Sequence, residues 1–257
     1  MERIRAAVKA ALIHFSVSIL IAALASALIL GLWFQGPYRE LAGGLHLLTL
    51  LICVDVVCGP LLTMVIFNPA KPWYELTMDM GLVAILQMAA LIYGIYSISL
   101  ARPVMLVYEV DRFVVVSQAE IDPDDLPRAA PEFQRFPWLS GPRLASIRQP
   151  KDGQETLESV ELSMRGKEPS IRPDWWLPYA HDLALTKQRM KPVSLLRKHL
   201  RVDEQKTLDD LIEKASLSNQ ETFFLPLTNK KIFDGWVVLL DKDAQIRGYA
   251  PFGGFVE

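Results

Sequence analysis

Asp55 stands between two cysteines, Cys53 and Cys58, and just ahead of Pro60 in the stretch CVDVVCGP. A carboxylate framed by two thiols has the residue types of a metal or redox site. Cys53 and Cys58 nevertheless project to different faces of a helix, so they form no metal pair by themselves and read as small apolar side chains. What remains is an acid inside an apolar run long enough to span a bilayer. On insertion scales an aspartate near the centre of such a helix costs about 2.5–3.5 kcal/mol. Asp55 must therefore be neutral, paired, or turned toward something polar.

Counting about 1.5 Å per residue along each run places Ser26 and Gln87 at a depth comparable to that of Asp55. A protonated Asp55 could donate to the Gln87 carbonyl oxygen or to the Ser26 hydroxyl, as glue for a three-helix unit. A functional, partner-binding role for the same acid is the other reading, and the sequence leaves both open. Pro60 has no amide hydrogen, so under α-helical spacing the carbonyl of Val56 is left seeking a donor, and Gly59 eases a bend there. On the first run, small residues recur at four-residue spacing: Ala22 with Ser26, and Ala23 with Ala27 and Gly31. Such strips let another helix approach closely in lipid, either a neighbour in the same chain or a helix of another protein.

Positioning these residues requires three membrane helices, expected at 12–34, 45–67 and 80–100. The chain has 257 residues, 51% of them hydrophobic. Of its 27 Lys and Arg residues only Arg3, Arg5, Lys9, Arg39 and Lys71 precede residue 101. A membrane region over 1–101 followed by a water-soluble domain over 102–257 is the expected division. A cleaved signal peptide is the alternative for the first run, with Ala25-Ser26-Ala27 as the cleavage site; the apolar run continues past it to Phe34, which suits an anchor. Positive charge at the N-terminus predicts a cytoplasmic start, and three crossings then deliver the C-terminal domain outside, to the periplasm in a Gram-negative host.

The soluble part opens with a run rich in β-branched and aromatic residues, 104–116, read as one long strand. A Pro-rich connection follows over 122–150, with Phe133, Phe136 and Trp138 expected to pack on the domain. Leu157, Val160 and Met164 have helical spacing, as do Leu208, Leu211, Ile212 and Ala215, with Asp203 as a cap. Between them PDWWLPY forms an aromatic turn leading into a further helical stretch. Strands are expected at 222–227, 235–240 and 245–249, the last two joined by the turn at 241–244. The sum is an α+β domain with a mainly antiparallel sheet.

Reaction machinery is not evident. The chain has no phosphate loop, HExxH, GxSxG or CxxC pattern. His181 beside Asp182 reads as a helix feature, and Asp124-Asp125 and Asp209-Asp210 as solvated acids. The expectation is a binding protein rather than an enzyme, with no cofactor and no metal. Net charge of −2 gives no argument for nucleic acid.

The stretches VDVVCGPLLTMVIFNP, AILQMAALIYGIYSISLARPV and VYEVDRFVVV resemble the type IV pilin accessory proteins of the TfpX/TfpZ kind, which include the fimbrial accessory protein FimB. Beyond about residue 125 the resemblance is looser, resting on GPRL, the tryptophan-proline turn and DGWVVLLDKDAQIRGYAPF. It implies a multi-pass inner-membrane protein supporting type IV pilus assembly. Its partners would be the major pilin, other inner-membrane assembly components and the bilayer; it carries over no site residues. The physical counterpart is that the membrane helices hold a pilin's apolar N-terminal helix while the outer domain meets the pilin head. Two other classes fit less of the chain. One is a membrane sensor with a ligand pocket at Trp175 and Trp176 and a separate output partner; the other is a proton- or transport-linked subunit built on Asp55.

Overall fold

The computed structural model describes residues 2–217 and 221–256. Its contacts divide the chain into two units. The first holds the chain through Phe34 together with Gly43–Arg102, and the second holds Gln35–Ala42 and the chain from Pro103 onward.

Three helices in the first unit are long and apolar enough to cross a membrane. The first is α1, Glu2–Leu32. A single-turn helix, α2, Tyr38–Leu41, follows and belongs to the second unit. The middle span consists of α3, Gly44–Cys53, a π-helical turn at Val54–Cys58, and α4, Gly59–Ile66. The third is α5, Trp73–Ala101. The middle span is the hub: α1 packs on α4 and the π-turn, and α5 on α3 and α4. Close approach to α5 relies on Gly94, where a Cβ would collide with the Leu51 side chain. Tyr93 and Tyr96 toward one end of α5, and Trp73 and Tyr74 at the other, are exposed.

The second unit is built on an eight-stranded mixed sheet, which corrects the expectation of a mainly antiparallel one. β1, Pro103–Glu109, pairs antiparallel with β2, Arg112–Ser117. The single long strand expected at 104–116 is therefore a hairpin. Val110 turns the chain with a positive φ of 59°, and the Asp111 amide donates to the Glu109 carbonyl at 2.7 Å. A β-branched residue in that region is strained, and no Gly or Asn marks the turn. β3, Arg143–Ile147, lies parallel to β1 inside the Pro-rich connection, and β4, Trp176–Pro178, pairs with it antiparallel.

Helix α6, Gly153–Met164, separates β3 from β4 in the chain, and α7, Leu183–Arg189, follows β4. Next come β5, Lys191–Pro192, then α8, Val193–Lys198, and α9, Val202–Lys214. Asp203 sits inside α9 rather than capping it; the Glu204 carboxylate accepts the Arg201 amide at 2.9 Å instead. The sheet is completed by the meander of β6, Phe223–Thr228, β7, Trp236–Leu240, and β8, Ile246–Ala250. β6 also runs parallel to β2. Pro226, which lacks an amide hydrogen, stands where β6 passes from pairing with β5 to pairing with β2.

Both faces of this sheet are covered, which is why β1 reads as a continuous apolar run. Leu106 and Tyr108 point into one core with Phe113, Leu225, Leu227 and Val238. Met105 and Val107, alternating with them, point into another with Val116, Phe133 and Trp176. The first core also takes in Tyr38 and Leu41 from α2. The Tyr38 hydroxyl lies 3.0 Å from that of Tyr249, the Trp236 indole N–H donates to Glu40 at 3.0 Å, and the Asn229 amide donates to the Leu41 carbonyl. A short segment between the first two spans is thus part of the soluble domain's core. On α6, by contrast, Leu157, Val160 and Met164 are exposed.

Candidate functional site

Asp55 lies in the π-turn, eleven residues from each end of the middle span. A π-turn spaces its hydrogen bonds five residues apart rather than four. The amide that the Asp55 carbonyl would accept is therefore that of Pro60, which has no hydrogen. Gln87 of α5 supplies the missing donor: its Nε2 lies 3.0 Å from the Asp55 main-chain oxygen. The depth match between Asp55 and Gln87 is present, but it runs through the backbone and not through the carboxyl. It also moves the orphaned carbonyl from Val56, where α-helical spacing put it, to Asp55. Gly59 makes the arrangement possible, because a Cβ there would overlap the Gln87 amide.

The Asp55 side chain is 8% exposed, and its Oδ1 is closed off with no hydrogen-bond partner among the described residues. It opens on a cavity of ≈ 180 Å³ within the first unit, lined by His14, Ser18 and Ile21 of α1 and by Gln87, Met88 and Leu91 of α5. His14 is held in place by the Thr63 hydroxyl of α4, 2.5 Å from its Nδ1. Neither His14 nor Ser18 was expected from the sequence. The available signal was a pair of polar residues four apart inside an apolar helix, which places them on one face.

Ser26 is not part of this group, since its hydroxyl donates to the Ala22 carbonyl one turn back at 2.7 Å. The two small-residue strips are also separated. Ala22 and Ser26 are half-buried within the unit, whereas Ala23, Ala27 and Gly31 are exposed on α1. Cys53 and Cys58 are exposed free thiols. Among the described residues no three His, Cys, Asp or Glu side chains gather into a metal-binding group.

In the second unit the tryptophan turn is packing rather than pocket. Trp175 is 4% exposed and lies between the guanidinium groups of Arg148 and Arg172, 4.4 and 4.0 Å from its ring centre. Trp176 is 2% exposed, packs on Phe133 and Phe136, and donates its indole N–H to the Ser170 carbonyl at 2.8 Å. A polar cleft of ≈ 360 Å³ lies by the β1–β2 turn, lined by Glu109, Arg112, Glu168, Lys230 and Phe233. Burial pushes the Glu109 carboxyl above its ordinary value, and its Oε2 has no hydrogen-bond partner among the described residues.

Comparison with known proteins gives a consistent answer. The family described as fimbrial assembly protein FimB matches residues 2–43. Across 245 residues, 95% of both chains, the sequence is 38% identical to a protein of Dichelobacter nodosus named "Fimbrial assembly protein, serogroup I". It is 36% identical over the same share to the serogroup E1 protein. A third relative, of serogroups C1 and C2, is 41% identical over 128 residues, half of this chain and 98% of its own length. No solved structure matches.

Proposed function

The chain belongs to the FimB family of fimbrial assembly proteins, and from that premise we propose that it is a non-enzymatic accessory protein of type IV pilus biogenesis that binds the major pilin. The observation that carries the reading is the 38% identity over 95% of both chains to a protein named for fimbrial assembly. In this reading the three apolar helices cross the inner membrane. Arg3, Arg5 and Lys9 keep the N-terminus cytoplasmic, and the mixed-sheet domain works in the periplasm. Other inner-membrane assembly components are further partners.

The membrane unit offers a surface suited to an apolar pilin helix. Ala23, Ala27 and Gly31 form an outward strip without bulky side chains, so a second helix can approach the α1 backbone closely. The mixed-sheet domain then meets the pilin head. A photo-crosslinking scan in living cells from positions 23, 27, 31 and 55 tests this. Capture of pilin is expected, together with loss of surface pili when the gene is deleted. Capture of no pilin from any position, or unchanged piliation on deletion, would sink it.

A further inference from the structure

We propose that the Asp55 cavity is a binding site for an amine carried into the bilayer on a transmembrane segment of a partner protein. The first ground is the unpartnered carboxyl oxygen. Asp55 lines a cavity with room for a side-chain head group, and its Oδ1 is closed off from solvent with no hydrogen-bond partner among the described residues. Two neighbouring polar atoms are already engaged: Gln87 Nε2 holds the Asp55 main-chain carbonyl, and His14 Nδ1 holds Thr63. An unsatisfied polar group in hydrocarbon carries a cost that a ligand can remove.

An amine fits the carboxyl in either state of the shared proton. An ammonium donates to the carboxylate, and a neutral amine accepts from the carboxylic acid. Where the surroundings are apolar, a partner that also cancels the charge gains more than a neutral hydroxyl or amide does.

The second ground is depth. Asp55 is eleven residues from either end of its span, about 16 Å of helix. That is about half the hydrocarbon thickness, out of reach of lipid head groups. Val17, Ile21 and Met88 line the cavity and are exposed on α1 and α5, so in a chain whose helices cross the bilayer the cavity is reached from the lipid side. The amine therefore enters laterally, on a polypeptide lying in the membrane. The chemistry of the site does not depend on the partner being a pilin, and its test uses none, so the two readings fail separately.

The test uses the full chain in phosphatidylcholine vesicles and the membrane-soluble carboxyl reagent dicyclohexylcarbodiimide. Modification of Asp55 is followed by mass spectrometry, with Asp55→Asn as the unlabelled control. The competitor is a synthetic Leu/Ala transmembrane peptide of 23 residues, matched to the middle span, with one lysine at its centre. The comparison peptide has methionine at that position. The lysine peptide is expected to slow Asp55 modification about tenfold and the methionine peptide less than about twofold. Equal slowing by both peptides, slowing by neither, or no modification of Asp55 at all would overturn the proposal. Protection by phosphatidylethanolamine vesicles without any peptide would overturn the polypeptide source and assign the amine to lipid.

Discussion

Gln87 donates its side-chain amide to the main-chain carbonyl of Asp55 at 3.0 Å, replacing the hydrogen that Pro60 cannot provide. One side chain on α5 thus completes the backbone of another helix, and the π-turn and proline are tied to it. The same turn places Asp55 on the wall of the cavity between α1 and α5.

The bond can be measured by a double-mutant cycle with Pro60→Ala, which restores the missing amide. Gln87→Ala in the natural sequence leaves the carbonyl without a partner and is expected to lower unfolding stability in detergent by about 1–2 kcal/mol. In the Pro60→Ala background the loss should shrink to under about 0.5 kcal/mol. Equal losses in the two backgrounds would show that Gln87 contributes by packing alone.

The two strips on α1 should separate in the same assay. Ala22→Leu enlarges a half-buried position and is expected to cost about 1–3 kcal/mol through overpacking. Ala27→Leu on the exposed strip should stay within about 0.5 kcal/mol. If the strip seats a partner helix, Ala27→Leu will reduce surface piliation all the same; unchanged pilus counts by electron microscopy would remove it from the interface.

Leu41 is 1% exposed although it lies in a short segment between two long apolar helices. Leu41→Ala is expected to destabilise the soluble domain by about 2–5 kcal/mol, as for any closed aliphatic core position. Tyr38→Phe, which removes only the hydroxyl facing Tyr249, should cost about 1 kcal/mol. Thermal unfolding followed by near-ultraviolet circular dichroism reports both.

Glu109 gives a pH prediction. Its folded-state pKa is raised above the ordinary 4.5 by burial, so the folded form holds its proton more tightly than the unfolded form does. The associated stability is complete below that ordinary value and is lost as pH rises through the folded-state value. Glu109→Gln is therefore expected to be more stable than the natural protein at pH 7, with the advantage vanishing near pH 4. Denaturant titrations at the two pH values check it, and an advantage equal at both would assign the effect to something other than ionisation.

The legible parts of this protein were those set by local pattern. Apolar length marked the three spans, and depth counting paired Asp55 with Gln87. The atom involved was not legible, because it depends on a π-turn whose five-residue spacing no periodicity displays. The β1–β2 hairpin was hidden because Val110 occupies a turn position usually marked by Gly or Asn. The parallel pairings β1·β3 and β2·β6 join strands far apart in the chain, and pairings of that kind leave no alternation of their own. The exposed stripe on α6 shows the converse, since Leu157, Val160 and Met164 have core spacing without being in the core.

The docking of Tyr38 and Leu41 into the sheet also sets an order of assembly. The segment that holds them is synthesised about two hundred positions before Asn229, Trp236 and Tyr249, which receive it. The segment between the first two apolar helices must therefore wait, unsheltered, until the last strands of the chain arrive. Contacts of such high sequence separation form late and slowly. A chain cut short before β7 would carry its three long apolar helices intact and yet leave that early segment without its place.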